Sequence, residues 1–273
     1  GNPAGVVFDA DGLSEAEMQA VATQTGFPET AFVGKSDIAD FRTDFFTPTR
    51  RIADCGHATV ALFSHLAAHG KLPGGRTSKE ITLGRREIMI DGDQAFLEIG
   101  LPAFHTLSAD HLTRLLQSVG AEPGELIAEP MLVSTGPGLN GVMLPLRGES
   151  EVARIRPDLD AIYRLSEELE LIMVYAFSPE TRGEGRIAGA RMFAPFFGIN
   201  EEAATGMAAG MLGPYLYEIL GLKREVMVIE QGHLMPQPSP SRLEVRLTLS
   251  DDHVIGCFVG GVALPKEKIS VSV

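Results

Sequence analysis

Cysteine, positive charge and long apolar runs are all scarce in this chain of 273 residues. The two cysteines, Cys55 and Cys257, can form at most one bridge, and no segment resembles a secretory leader, so reduced thiols in the cytoplasm are expected. Lys and Arg number 23 against 36 Asp and Glu, a formal net charge of −13. That balance repels phosphate backbones and anionic lipid, so neither nucleic acid nor a membrane surface is an expected partner. Apolar stretches such as 58–63 fall far short of the roughly 20 residues that a bilayer span requires. An initiating Met is also missing: Gly1 runs directly into a strand-like stretch, and upstream sequence, including a first strand, is expected.

What is present describes a globular chain. With 44% hydrophobic and 22% charged residues it is not disordered, and it is long enough for one large domain or two of about 130 residues. Strands are expected at 5–8, 31–34 and 41–46, the last ended by Pro48, and Ser14 with Glu17 forms a capping box that starts a helix through about Thr25. After a loop at 49–56, residues 57–69 read as a helix that is apolar nearly all round and closed by Gly70, so it must be surrounded by protein. Strands follow at 81–83, 86–90 and 95–99. The pattern restarts after Leu101-Pro102, dividing the chain into domains 1–102 and 103–273. The second begins with a helix at 108–119, strands at 131–134 and 142–146, and a helix opened by Pro157. Strands at 171–177 and 186–193, a second nearly all-apolar helix at 204–220, and strands at 226–231, 242–249 and 254–259 complete it.

The two halves repeat one design. Phe46-Thr47-Pro48, a loop, then Ala58-Thr59 entering an apolar helix is echoed by Phe193-Ala194-Pro195, a loop, then Ala204-Thr205 entering another. Each half is therefore expected to wrap a sheet round a central helix, and the N-termini of those helices are places where backbone N–H groups attract anions.

Several residues at these helix starts can carry chemistry. The segment Asp54–Thr59 packs a thiol, a glycine, an imidazole and a hydroxyl into six positions, a density expected of a reactive helix start where His57 exchanges protons near neutrality. The plain alternative is a cap with a small buried cysteine. In the echo, Glu201 and Glu202 precede a run of small residues; they are candidate ligand contacts or ordinary partners of the helix dipole. Glu29, between Phe27 and Phe32, is a candidate general acid–base if its surroundings are apolar, and otherwise a solvated loop carboxylate. Gly136–Gly141 matches G-x-G-x-x-G, but a strand follows it, so it reads as a hairpin loop. His65 and His69 lack a nearby carboxylate for a zinc site, and Cys257 reads as a small core residue.

Six ordered motifs then carry a resemblance over the full length: GNPAGVV at the start, GFPETAFV at 26–33, FFTPTRR with CGHAT at 45–59, RMFAP at 191–195, EEAATGMAAG at 201–210 and EQGHLMPQPS at 230–239. The chain resembles the phenazine-biosynthesis PhzF-like family, relatives in fold of diaminopimelate epimerase. The resemblance implies an α/β (α+β) fold of two similar domains, each a barrel-like, mostly antiparallel sheet around a central buried helix, with the active site in the cleft between them. It implies a cofactor-independent, metal-free isomerase in which Glu29 takes an allylic C–H proton and returns it elsewhere on a small carboxylate-bearing substrate. His57 and Glu202 are the other catalytic positions it marks, and Asn2, Cys55, Gly56, Thr205, Gly206 and Met207 are substrate-binding positions. In the epimerase relatives two cysteines act as acid and base; Cys55 matches the first, and no cysteine lies near Ala204 to supply the second. A homodimer is the assembly allowed for. Pro28, Arg51, Asp54, Met207 and Glu202 itself depart from the family pattern around the ligand, so the phenazine substrate is not carried over. The alternative function is a catalytically lapsed homologue that binds a metabolite or a protein partner.

Overall fold

The computed structural model describes residues 1–72 and 74–271. In chain order the first elements are β1 (Ala4–Val7), α1 (Glu15–Thr25), β2 (Glu29–Gly34), β3 (Phe41–Phe46), β4 (Arg51–Ile52), α2 (Gly56–Ala68), β5 (Gly75–Ile81), β6 (Gly84–Asp91) and β7 (Gln94–Ile99). Then come β8 (Ala103–Thr106), α3 (Ala109–Val119), β9 (Met131–Ser134), β10 (Asn140–Pro145), α4 (Glu149–Arg154), α5 (Leu159–Leu169), β11 (Leu171–Ser178) and β12 (Ala188–Ala194). The last are β13 (Ile199–Glu202), α6 (Gly206–Glu218), β14 (Val226–Gln231), β15 (Ser241–Ser250) and β16 (His253–Gly261). Among the described residues no helix is long and apolar enough to cross a membrane.

Two compact units result. The N-terminal unit holds Asn2–Glu98 and the stretch from Gly260 onward; the C-terminal unit holds Gly1 and Ile99–Val259. The change-over thus falls at Glu98/Ile99, earlier than the expected restart after Pro102, and the end of the chain returns to the N-terminal unit. Local packing holds it there: the Ala263 N–H donates to Ser64 Oγ at 3.1 Å, and a Cβ on Gly260 would stand 1.9 Å from the Ala95 carbonyl oxygen. Only glycine permits that approach.

In the N-terminal unit the strand order is β1-β2-β3-β5-β6-β7, with β4 beside β3. β1 runs parallel to β2 and β3 to β5, while β2–β3, β5–β6 and β6–β7 are antiparallel. Strand alternation sorts the faces. Val33, Ile88, Ile90 and Ala95 pack on Leu62, Phe63 and Leu66 of α2, whereas Phe32 and Phe46 pack on Met18, Val21 and Ala22 of α1. The capping box at α1 forms, with the Glu17 N–H donating to Ser14 Oγ at 3.3 Å and the Ser14 N–H to Glu17 Oε2 at 2.7 Å. Gly26 ends the helix at φ 66 and turns the chain toward β2.

In the C-terminal unit the order is β16-β15-β14-β12-β11-β10-β9-β8, antiparallel except for β10–β11 and β12–β14 among the pairs whose register is defined. Every residue of α6 from Ala208 to Tyr217 is buried. It packs on Met143, Met173, Tyr175, Met227 and Val245, while the opposite sheet face is covered by α3, α4 and α5.

Four expectations are corrected. The first strand of the 81–99 group is Gly75–Ile81, and Thr82 and Leu83 form the turn; its residues are mostly polar, so they carry no apolar alternation. The short strands β4 and β13 occupy stretches read as loop, and β8 and α4 lie outside the elements expected. The repeat also has a different register. Cys55 and Thr205 are the N-caps, and Gly56 and Gly206 the first helical residues, so Thr59 sits one turn inside α2 while Thr205 precedes α6. The position equivalent to Cys55 is therefore Thr205, a hydroxyl in place of a thiol. Two smaller expectations hold: residues 136–141 join antiparallel β9 and β10, and Cys257 is buried with its thiol donating to the Gly210 carbonyl at 3.3 Å; His65 and His69 stack on each other at 4.1 Å.

Candidate functional site

In the N-terminal unit Glu29 opens β2, paired with Ala4 of β1, two residues after Asn2. Cys55, Gly56 and His57 form the start of α2. The fold brings three of these side chains together. Glu29 Oε2 lies 2.9 Å from His57 Nε2, and Cys55 Sγ lies 3.6 Å from His57 Nδ1. The carboxylate is 19% exposed and the imidazole 17%, and among the described residues the buried Oε2 has no hydrogen bond of good geometry despite the short approach. An acceptor held this way is costly unless something else uses it. The ligand atoms of Glu29, Cys55 and His57 also lie within 4.8 Å of one another, a spacing that can hold a metal ion.

Burial alone would push the His57 pKa down. The Cys55 sulfur and then the Glu29 carboxylate outweigh it and raise the pKa to about 10. His57 is therefore an imidazolium at neutral pH, a double donor. Because its folded pKa lies above its ordinary 6.5, the stability it contributes is complete below that value and fades as the pH climbs to about 10. We expect the His57 ring protons to titrate in the alkaline range by NMR, and Cys55→Ser to move that titration toward neutrality; a wild-type midpoint near that of a free imidazole would contradict the arrangement.

A residue that sequence reasoning missed supports this cluster. Lys79 of β5 is fully buried, with its ammonium against Asp54, 2.6 Å from Thr59 Oγ1 and 4.9 Å from the Phe45 ring centre. Asp54 in turn accepts the Cys55 N–H at 2.7 Å. Arg51, the other departure in this loop, is bound by its guanidinium to Asp44 and Glu15.

The C-terminal unit presents a second group. Arg191 of β12 clamps Glu201 through two bonds of 2.7 and 2.8 Å, which removes Glu201 from the candidates and makes the RMFAP motif structural. Its neighbour Glu202 accepts the Thr205 hydroxyl. Gln231, also missed and fully buried, holds this turn: Nε2 donates to the Glu202 carbonyl at 2.7 Å and to Thr205 Oγ1 at 3.1 Å, while Oε1 accepts the Thr205 N–H at 3.3 Å and the Tyr175 hydroxyl at 2.9 Å. Burial, then Glu202, pushes the Tyr175 pKa far up, so the phenol stays a donor. Gly206 and Met207 begin α6, and the Met207 sulfur accepts from Thr135 Oγ1 at 3.9 Å.

The helix starts differ in one respect. Ser14, Ser108 and Asp158 cap α1, α3 and α5 with side-chain acceptors, whereas neither Cys55 nor Thr205 makes a side-chain cap. The first-turn N–H groups of α2 and α6 therefore have no partner in their own N-cap side chain, an arrangement that suits an anionic ligand.

Comparison with known proteins identifies the family. The family of phenazine biosynthesis-like proteins, PhzC-PhzF, matches residues 1–264. The chain is 36% identical over 273 residues to an uncharacterized isomerase of Deinococcus radiodurans, covering 96% of this chain and 87% of that one. It is 33% identical over 275 residues to the uncharacterized isomerase YddE of Escherichia coli O157:H7, covering 97% and 91%. The crystal structure of a PhzF-family phenazine biosynthesis protein of Bacillus anthracis superposes with a TM-score of 0.87 at 27% identity, covering 100% of this chain and 94% of that one. By motif order, by fold and by these matches, the chain belongs to the phenazine biosynthesis-like PhzC-PhzF family, whose relatives here bear the name isomerase.

Proposed function

We propose that the protein is a cofactor-independent isomerase that relocates a proton on a small carboxylate-bearing metabolite, with Glu29 as the carrier. The observation that carries the reading is the buried Glu29 oxygen, short of hydrogen bonds, beside an imidazolium and an uncapped helix start. In the step, the Glu29 carboxylate accepts the proton of an activated C–H bond, the adjacent double bond shifts, and the carboxylic acid returns the same proton to another carbon. His57, charged throughout the neutral range, stabilises the electron-rich intermediate. Asn2, Cys55 and Gly56 are assigned to ligand contacts at the first turn of α2. Glu202, Thr205, Gly206 and Met207 are assigned to ligand recognition, with Gln231 positioning them.

Incubating a panel of small unsaturated carboxylic acids with the protein in deuterated water tests this directly. Product isomers, with or without solvent-derived label, are expected for at least one member. Saturable binding without any isomer would favour the lapsed-homologue reading, which Pro28 and Met207 support. Within the panel, the dihydro-hydroxyanthranilate of the phenazine pathway is expected to turn over poorly. The family pattern that the motifs resemble carries a serine after Thr205-Gly206; a thioether at position 207 offers no donor to a carboxylate, and one lost hydrogen bond to a charged group costs about 1.5–3 kcal/mol, roughly ten- to a hundredfold. Met207→Ser should raise that weak activity; fast turnover by the unaltered protein would sink the substrate argument.

A further inference from the structure

We propose that Glu149, Glu230 and His233 form a divalent-cation site in the C-terminal unit, separate from the proton-transfer residues. The EQGHLMPQPS motif serves the proposed reaction only through Gln231. Strand alternation turns its neighbour Glu230 to the other face of β14, where the carboxylate is 1% exposed. Three residues on from Glu230, the His233 side chain is 8% exposed, and neither ring nitrogen has a hydrogen-bond partner among the described residues. The turn that delivers it is held by Gly232 at φ 81, where a Cβ would stand 2.2 Å from the Ser239 carbonyl oxygen. A buried imidazole with both nitrogens unsatisfied points to something the side chain is meant to bind.

What faces it are two carboxylates. His233 Nε2 lies 3.4 Å from Glu149 Oε2 and 3.7 Å from Glu230 Oε1, and the three ligand atoms lie within 4.8 Å of one another. Ligands about 2.1 Å from a tetrahedral ion stand roughly 3.4 Å apart, so little movement is needed to close on a metal. The carboxylates are oriented from behind, as ligating carboxylates commonly are. Arg182 Nε donates to Glu149 Oε1 at 2.8 Å, the Arg186 guanidinium holds Glu230 Oε2, and the Arg182 backbone N–H donates to Glu230 Oε1 at 2.6 Å. A pocket lined by Arg182, Arg186, Glu230, His233, Pro238 and Pro240 supplies the entry path. One imidazole with two carboxylates suits zinc, cobalt or manganese better than calcium. The two carboxylates balance a double charge, while the guanidiniums weaken the pull, so micromolar affinity is expected in place of the tight binding of an all-thiolate site.

Titration of the purified full chain with Co²⁺, followed by calorimetry and by the visible absorption of bound cobalt, tests the site. We expect one equivalent to bind, with affinity reduced roughly tenfold or more in His233→Ala and in Glu149→Gln and retained in Cys55→Ser, all variants keeping the wild-type circular dichroism. The added ion should also raise the melting temperature of the wild type and not of His233→Ala. Absence of saturable binding would overturn the proposal, as would binding that His233→Ala leaves intact. So would binding lost only in Cys55→Ser, which would place the ion on Glu29, Cys55 and His57.

Discussion

Glu29→Gln is expected to lower turnover by roughly 10²–10⁴-fold while leaving the fold intact. The amide keeps the shape of the side chain but has no lone pair basic enough to take a proton from carbon. Glu29 opens β2 and is only partly buried, so its replacement creates no cavity. The loss should therefore fall on kcat, because the α2 helix start and His57 still receive the ligand. One secondary effect follows from the geometry: with one of its two raising partners gone, His57 should titrate at a lower pH than in the wild type. Turnover within a few-fold of wild type would move the proton-carrying role to Cys55 or His57, whose ligand atoms lie within 4.8 Å of that of Glu29. Loss of the native circular dichroism would instead make Glu29 a structural residue.

Asp54→Asn should cost about 3–5 kcal/mol of stability, the second large effect. Lys79 is fully buried with Asp54 as its charged partner, and removing one member of such a pair strands the other charge in a medium that solvates it poorly. The Thr59 hydroxyl and the Phe45 ring remain, but neither supplies a negative charge. The effects on the two partners should be unequal. Asp54 is 34% exposed and can rehydrate, so Lys79→Met, which removes the buried ammonium, should destabilise much less. Burial, against the opposing pull of Asp54, lowers the Lys79 pKa in the native state. The unfolded chain then binds the proton more readily, so stability of Asp54→Asn should recover as pH rises. Urea unfolding of both variants across neutral and alkaline pH checks this, and equal small losses in the two would refute the buried-charge argument.

The amino-acid sequence determined the elements whose signals are local and the family to which the chain belongs. The Ser14–Glu17 box, the glycines at 26, 70 and 120, and the two apolar helices are written in adjacent residues, because caps and all-round burial depend on near neighbours. Glu29, Cys55, His57, Glu202 and Thr205 were legible through motif order. The tertiary structure alone decided what those residues touch. Contact between Glu29 and His57 spans 28 positions and requires β2 and the start of α2 to meet at one end of a sheet. Lys79 lies on a polar strand with no periodicity to betray it, and it became identifiable only once burial set its ammonium against Asp54. Gln231 and Glu230 are adjacent letters sent to opposite faces of one strand, one to hold Thr205 and the other to face His233. The register of the repeat was likewise tertiary: similar letters suggested Thr59 opposite Thr205, whereas backbone geometry put Cys55 there. Helix starts are defined by which N–H groups lack an acceptor, and that depends on the folded backbone.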